Sequence, residues 1–163
     1  MKSILMGFLI LLCLSNIFAQ DEYSNQTIGL TSTLSNQVDI SVPIFLGDYI
    51  SLAPTVGVSM FEENYTDWEI GIVYKNYFNR KRIAPFISIK LGALIMDRKK
   101  ADGIVDGVFG GGFGGEYFFS NNFSAGIEAQ LNFSISNSGS GRFGNPGNIN
   151  VNTATVIFAA VYF

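Results

Sequence analysis

The sequence predicts an all-β fold: an eight-stranded antiparallel up-and-down transmembrane β-barrel behind an N-terminal signal peptide. Three observations predict it. First, Phe123–Ile135 alternates without a fault. Phe123, Ala125, Ile127, Ala129, Leu131, Phe133 and Ile135 fall on one parity, and Ser124, Gly126, Glu128, Gln130, Asn132 and Ser134 on the other. That is the two-residue period of a strand with one apolar and one polar face. Its length meets the roughly 9–11 residues a tilted strand needs to cross a bilayer. Second, 48% of the residues are hydrophobic and only 14% charged, where a soluble domain carries about 25% charge. Past the N-terminal segment, no apolar run is long enough for a membrane helix. Third, the alternation recurs along the chain.

The N-terminus reads as a secretory signal. Lys2 is the charged region, Ile4 to Leu14 the apolar core, and Ile17-Phe18-Ala19 the cleavage site. The apolar run is too short for an anchor and lacks a basic stop-transfer flank. Leu12 before Cys13 does not suit a lipoprotein signal, which wants a small residue there. Residues 1–19 are therefore expected to be the signal peptide and residues 20–163 one barrel domain. Cys13 is the only cysteine and leaves with the signal, so the mature chain forms no disulfide. A small exported eukaryotic domain would usually need several, which points to export by a bacterium. Glycosylation-type triplets begin at Asn25, Asn64, Asn122 and Asn132, as chance produces in an Asn- and Ser-rich chain. The net charge of −3 offers no basic patch, so nucleic acid is not expected as a partner.

The strands follow in order. The first is Gln26–Leu34, with Ile28 and Leu30 outward. The second, Val38–Leu46, alternates Val38, Ile40, Val42, Ile44 and Leu46 with Asp39, Ser41, Pro43 and Phe45. The third, Ile50–Met60, sets Ile50, Leu52, Pro54, Val56, Val58 and Met60 against small polar residues. The fourth, Thr66–Phe78, carries Trp68, Ile70, Ile72 and Tyr74 on its apolar parity. The fifth, Ile83–Ile95, places Ile87, Ile89, Leu91, Ala93 and Ile95 opposite Ser88, Lys90 and Gly92. Val105–Phe119, Phe123–Ser136 and Thr153–Phe163 complete an even count, as a single-chain bacterial barrel requires. Pro43 and Pro54 each cost a ladder bond, so they are expected near a rim or at bulges.

The connections Gly47-Asp48-Tyr49, Asn79–Arg82 and Ser120-Asn121-Asn122 are short, and Phe61–Asp67, Met96–Ile104 and Asn137–Asn152 are longer. Apart from a short first link near Ser35-Asn36, this is the alternation of periplasmic turns and surface loops, with both termini periplasmic. Phe45, Tyr49, Tyr77, Phe78, Tyr117, Phe118, Phe119, Phe123, Tyr162 and Phe163 gather beside the short turns, as a membrane-interface belt would. Phe61, Tyr65 and Trp68 mark the opposite rim.

A soluble lipocalin-like ligand-binding barrel also alternates, but its polar face should be dense in Lys and Glu. Here that parity is mostly Ser, Thr, Gly, Ala and Asn. Small residues suit an eight-stranded interior, which is just wide enough for side chains to fill, and lipid accepts the other face. Closure is needed because an open edge strands backbone groups in hydrocarbon. The few strand charges then point inward. Lys75, Lys90, Glu116 and Glu128, counted from their turns, are expected to form one structural ion-pair cluster that plugs the lumen, since buried charges must pair. Asp39, Glu69 and Asp106 are expected near the outer rim.

The chain has no histidine, and without Cys13 it has no thiol. That removes Ser-His-Asp and Cys-His catalysis and the common zinc sites. No catalytic, cofactor-binding or metal residue is expected, and the protein is not expected to be an enzyme. Gly110 to Gly115 matches a dinucleotide-binding spacing, but it lies in a strand pattern with no following helix. Its glycines are expected to let that strand bend and to make room for interior side chains. Asn137–Asn152 reads as a flexible polar loop.

The last strand, Thr153–Phe163 (TATVIFAAVYF), resembles the C-terminal targeting strand of Gram-negative outer-membrane proteins, with Val161, Tyr162 and Phe163 as the assembly signal. Together with Gly114–Phe119 and Phe123–Ala129, it is similar to the small eight-stranded barrel family that includes outer membrane protein X and the membrane domain of outer membrane protein A. The resemblance implies the cell outer membrane as location, outer-membrane lipid as surroundings, and the barrel assembly machinery as a partner during biogenesis. A monomer with a structural or surface-interaction role is expected, with its loops open to an extracellular partner. The alternatives are transport of small or hydrophobic solutes and the soluble lipocalin-like barrel.

Overall fold

The computed structural model describes residues 26–34, 38–61, 65–98 and 103–163, and contains only strand, turn and loop there. The expected signal peptide and the link at Ser35-Asn36 lie outside the described residues. The strands are β1 (Gly29–Leu34), β2 (Val38–Ser41), β3 (Ile44–Phe45), β4 (Ile50–Phe61), β5 (Tyr65–Tyr77), β6 (Ile83–Arg98), β7 (Ile104–Ser120), β8 (Phe123–Ile135) and β9 (Ile149–Tyr162). They pair antiparallel in the order β2-β1-β9-β8-β7-β6-β5-β4-β3, and β2 also pairs with β4, which closes the ring. Ile40 pairs with Val56 and Ile44 with Leu52 in one unbroken register, so β2 and β3 are two halves of one strand. The barrel therefore has eight strands.

Closure fixes the tilt. Ser32 pairs with Ile40, Ile40 with Val56, Val56 with Ile70, and Ile70 with Ala93. Ala93 pairs with Gly107, Gly107 with Ile135, and Ile135 with Ile149. Ser32 itself closes on Ala159, ten residues further along β9 than Ile149. A shear of ten over eight strands tilts them by roughly 40–45°. One circuit then climbs about 24 Å along the barrel axis at a rise of about 3.3 Å per residue.

The prolines sit elsewhere than expected. They lie mid-wall, and the register runs through both without a bulge. Gly29 N–H donates to Pro43 O (2.9 Å) and Val42 N–H to Pro54 O (3.0 Å), but neither proline can return the bond. Each removes half of a paired exchange, which is why β2 and β3 separate at Val42-Pro43. The register irregularity of the β7–β8 pair falls at Phe119, beside the turn.

The alternation orients as the scarcity of charge implied. Ile127 is 55% exposed, and Ile40, Val56, Ile70, Ile89, Leu91 and Ile157 also face out. Ser41, Ser51, Thr55, Ser88, Ser124 and Ser134 face in and are buried. The aromatics divide between the faces, contrary to the expected single belt. Tyr49, Phe78, Phe119, Phe123 and Phe163 are exposed, while Phe45, Tyr77, Phe118 and Tyr162 join Phe86 and Phe158 in the buried core. The reason is parity: successive residues of one strand cannot share a face. At the far end Trp68, Phe109 and Phe133 face outward, the last two stacked at 4.8 Å. The side chains of Phe61 and Tyr65 lie outside those described. From the shear, the ring of Phe78, Phe119, Phe123 and Phe163 stands roughly 25 Å below that of Trp68, Phe109 and Phe133. This is the height of the apolar band of a transmembrane barrel.

The loops are shorter than the alternation suggested. β4 continues to Phe61, β5 starts at Tyr65, and β6 and β7 run for 16 and 17 residues. Strand pairing persists beyond the apolar band because it satisfies backbone groups as well in water as in lipid. Only the connection between β8 and β9, residues 136–148, remains long, and it gives up residues 149–152 to β9.

Candidate functional site, the barrel interior

The barrel interior is built in layers from the turn end upward. At the turn end the Arg80 guanidinium stands over Phe45, 3.6 Å from the ring centroid, and donates to the carbonyls of Asp48 (3.4 Å) and Gln26 (3.3 Å). Above it Phe45, Tyr77, Phe86, Phe118, Phe158 and Tyr162 pack at centroid distances of 5.5–5.9 Å. Several of these rings lie over a paired residue that has no side chain. Phe86 pairs with Gly114 and Phe158 with Gly126. A Cβ at Gly114 would stand 2.7 Å from Phe86 Cζ, and one at Gly126 would strike the Phe158 ring. These inward glycines are space for rings.

Glu116 is 1% exposed and accepts from Tyr77 Oη (2.7 Å), Tyr162 Oη (2.6 Å) and Ser124 Oγ (2.5 Å). Three hydroxyls from three strands thus replace the water a buried carboxylate would need. The Lys75 ammonium sits between two rings, 3.8 Å from the Phe158 centroid and 4.3 Å from that of Phe86. It reaches Glu116 and Glu128 only as longer-range charges. Glu128 accepts from Ser88 Oγ (2.5 Å) and Gln130 Nε2 (2.8 Å). Higher still, Lys90 pairs with Glu69 and, at 4.0 Å, with Asp39.

The loop end closes on a second arginine. Arg142 forks Asp67 through Nη2 (2.7 Å) and Nε (3.2 Å), and its Nη1 reaches Asp106 at 2.6 Å. Asp106 also accepts from Ser140 Oγ (2.7 Å) and from Asn137 N–H (2.8 Å). The loop between β8 and β9 is therefore tied to β5 and β7 and folded inward over the mouth, rather than hanging free. Between the two arginines lies a cavity of about 50 Å³, bordered by Thr33, Asp39, Lys75, Lys90, Glu128 and Gln130 and, on its apolar side, by Val73, Val156 and Phe158. At roughly 10–15 Å³ each, it holds a few waters and no more.

The four expected cluster residues all point inward, but they do not form one cluster. Lys90 belongs with Asp39 and Glu69, while Glu116 and Glu128 take neutral donors. The shear explains the separation. Heights counted from the turns ignore the climb from strand to strand, which puts Lys90 about 8 Å above Lys75 and about 11 Å above Glu116. Asp39 and Glu69 both point into the lumen and are buried, Asp39 at the level of Lys90 and Glu69 beside Trp68 near the top. Of the expected assembly signal, Val161 and Phe163 face outward, whereas Tyr162 is 2% exposed and bound to Glu116. Nothing periodic in the sequence points to Arg80 and Arg142, since both lie in connections where no strand period marks a direction. The one signal there is that each is an arginine in a connection opposite strand ends rich in acceptors. Among the described residues no group of three or more His, Cys, Asp or Glu could hold a metal.

Arg142→Ala should free the loop. We expect protease cleavage within residues 137–148 to rise sharply while the barrel's denaturation midpoint moves little, because the strands keep their ladders. Limited proteolysis of the folded protein checks this. A loop as resistant as in the wild type would refute the tie.

No protein-family model matches the chain, and no curated protein matches it in sequence. Solved structures do match its fold. The N-terminal β-barrel domain of Pseudomonas aeruginosa OprF superposes with a TM-score of 0.58 at 16% identity, over 83% of this chain and 95% of that one. Neisserial surface protein A gives 0.54 at 14% identity, over 83% and 93%. With its closed ring of eight antiparallel strands, the chain has the fold of the small outer-membrane β-barrels.

Proposed function

We propose that the protein is an integral barrel of the bacterial outer membrane with a sealed lumen, and that it serves a structural or surface-interaction role without catalysis. The observation that carries this reading is the lumen itself. Among the described residues, aromatic rings, the Glu116 hydroxyl network, the Lys90 layer and the Arg142 cap fill the interior around a cavity of about 50 Å³. So small a cavity favours a filled lumen over a water-filled pore. The outward face of Ile, Leu, Val and Phe supports lipid as its surroundings, and the likeness of fold to two outer-membrane barrels supports the location. Outward Val161 and Phe163 are available to the barrel assembly machinery, and the extended loop end to an extracellular partner. Each carboxylate of the lumen is engaged by donors that hold the wall together, which favours a structural use over acid–base work.

Planar-bilayer recording tests the seal. The purified protein should give no stable conducting level, while Arg142→Ala should add at most brief openings, because the aromatic layer remains. A steady conductance from the wild type would overturn the sealed lumen.

A further inference from the structure

The wall of the barrel is uneven. β1 ends at Leu34, which pairs with Ile157, yet β9 begins at Ile149. Among the described residues, Ile149–Val156 therefore pairs with β8 on one side and with no strand on the other. Only residues 35–37 join Leu34 to Val38, too few to run beside seven or eight more residues of β9. Tyr162 N–H donates to Asn122 O and Phe163 N–H to Ile28 O, so odd-numbered residues of β9 turn their backbone groups toward the β1 side. At the open edge, past the stretch that residues 35–37 could reach, these are Ile149, Val151 and Thr153.

Height makes the edge significant. From the shear, Thr153 stands within about 2 Å of the level of Phe109 and Phe133, at the top of the apolar band, and Thr155 stands lower. Unpaired backbone groups at that depth cost several kcal/mol each in hydrocarbon unless something pairs with them. Thr153 and Thr155 also bring hydroxyls to an outward face that elsewhere on the long strands is largely apolar. Beside them the outer wall carries a furrow of about 630 Å³ bordered by Gly111, Phe113, Ala129, Leu131, Thr153 and Thr155. Two register rows cross it, Gly111-Leu131-Thr153 and Phe113-Ala129-Thr155, and the first ends at the open edge.

A second copy of the chain does not fit this edge. Copies in one membrane are related by an axis along its normal. Two β9 strands so related, each tilted by roughly 40–45°, cross near 90° and cannot form a ladder. A lipid of the surrounding leaflet has the right chemistry: an apolar chain below and ester or amide groups at the hydrocarbon boundary.

We propose that the furrow and the open edge of β9 form one docking site for a membrane lipid. Its acyl chain lies along Gly111 and Ala129. Its interfacial carbonyls accept from the Thr153 backbone N–H and hydroxyl, and its hydroxyl or amide hydrogens meet the Thr153 carbonyl. The proposal rests on the membrane reading above. Native mass spectrometry of the full chain, folded in detergent micelles doped with phosphatidylethanolamine, tests it, with heat-dependent gel mobility reporting folding. The wild type should retain one phospholipid. Ala129→Leu, which fills the furrow, should lower that retention about tenfold. Thr153→Val with Thr155→Val should weaken it independently, and Ala93→Leu on β6 should leave it unchanged. Detergent-only adducts, a two-chain species, or equal retention in all variants would overturn the site. A chain that stays soluble and folded without detergent would instead overturn the membrane reading.

Discussion

Glu116→Ala should cost the barrel about 3–5 kcal/mol, the range for stripping the partner from buried polar groups. The carboxylate holds hydroxyls from β5, β8 and β9 at 2.5–2.7 Å, so its loss leaves Tyr77, Tyr162 and Ser124 without an acceptor in a dry layer. It also removes a negative charge acting on Lys75, which makes no ion pair among the described residues. Tyr162→Phe removes a single donor and should cost only about 1–2 kcal/mol. Urea denaturation in micelles, read by gel mobility, should rank the wild type above Tyr162→Phe and Tyr162→Phe above Glu116→Ala. If Glu116→Ala unfolded no more readily than Tyr162→Phe, the carboxylate would not be the hub of that layer.

Ile127→Arg carries the other large effect. Ile127 lies on β8 near mid-height between the two aromatic rings and is 55% exposed. A guanidinium there meets lipid, at about 2–4 kcal/mol for the midplane of a barrel wall. Gln130→Ala, on the opposite face of the same strand, removes one hydrogen bond to Glu128 at 2.8 Å and should cost about 1 kcal/mol. Folding yield into vesicles separates the two. Equal tolerance would mean that the face assignment is inverted.

Much of the barrel is legible in the sequence because a strand's two-residue period needs no knowledge of partners. Phe123–Ile135 stands as its alternation dictates, and the low charge of its polar parity tells that this parity faces the interior rather than water. What is not legible depends on register. Nothing local marks Phe86 and Phe158 as core rings until each is found opposite a glycine, Gly114 and Gly126, across a strand pair. Lys90 looks like a partner for Glu128 until the shear of ten lifts it to the level of Asp39. Arg142 sits in a Gly- and Asn-rich loop whose composition suggests mobility, and its fork onto Asp67 spans 75 residues of sequence. Pairings of that separation leave no local periodicity to read.

Cys13 is the only cysteine and precedes the barrel strands, so single thiols can be introduced cleanly. A spin label at Ile127→Cys in the vesicle-inserted protein, with Ile89→Cys and Ile157→Cys as equivalents on β6 and β9, reports directly what the apolar face touches. Collisions with oxygen, which concentrates in hydrocarbon, should exceed those with a water-soluble nickel chelate at all three positions. Greater access to nickel than to oxygen at these positions would place that face in water and contradict the membrane barrel.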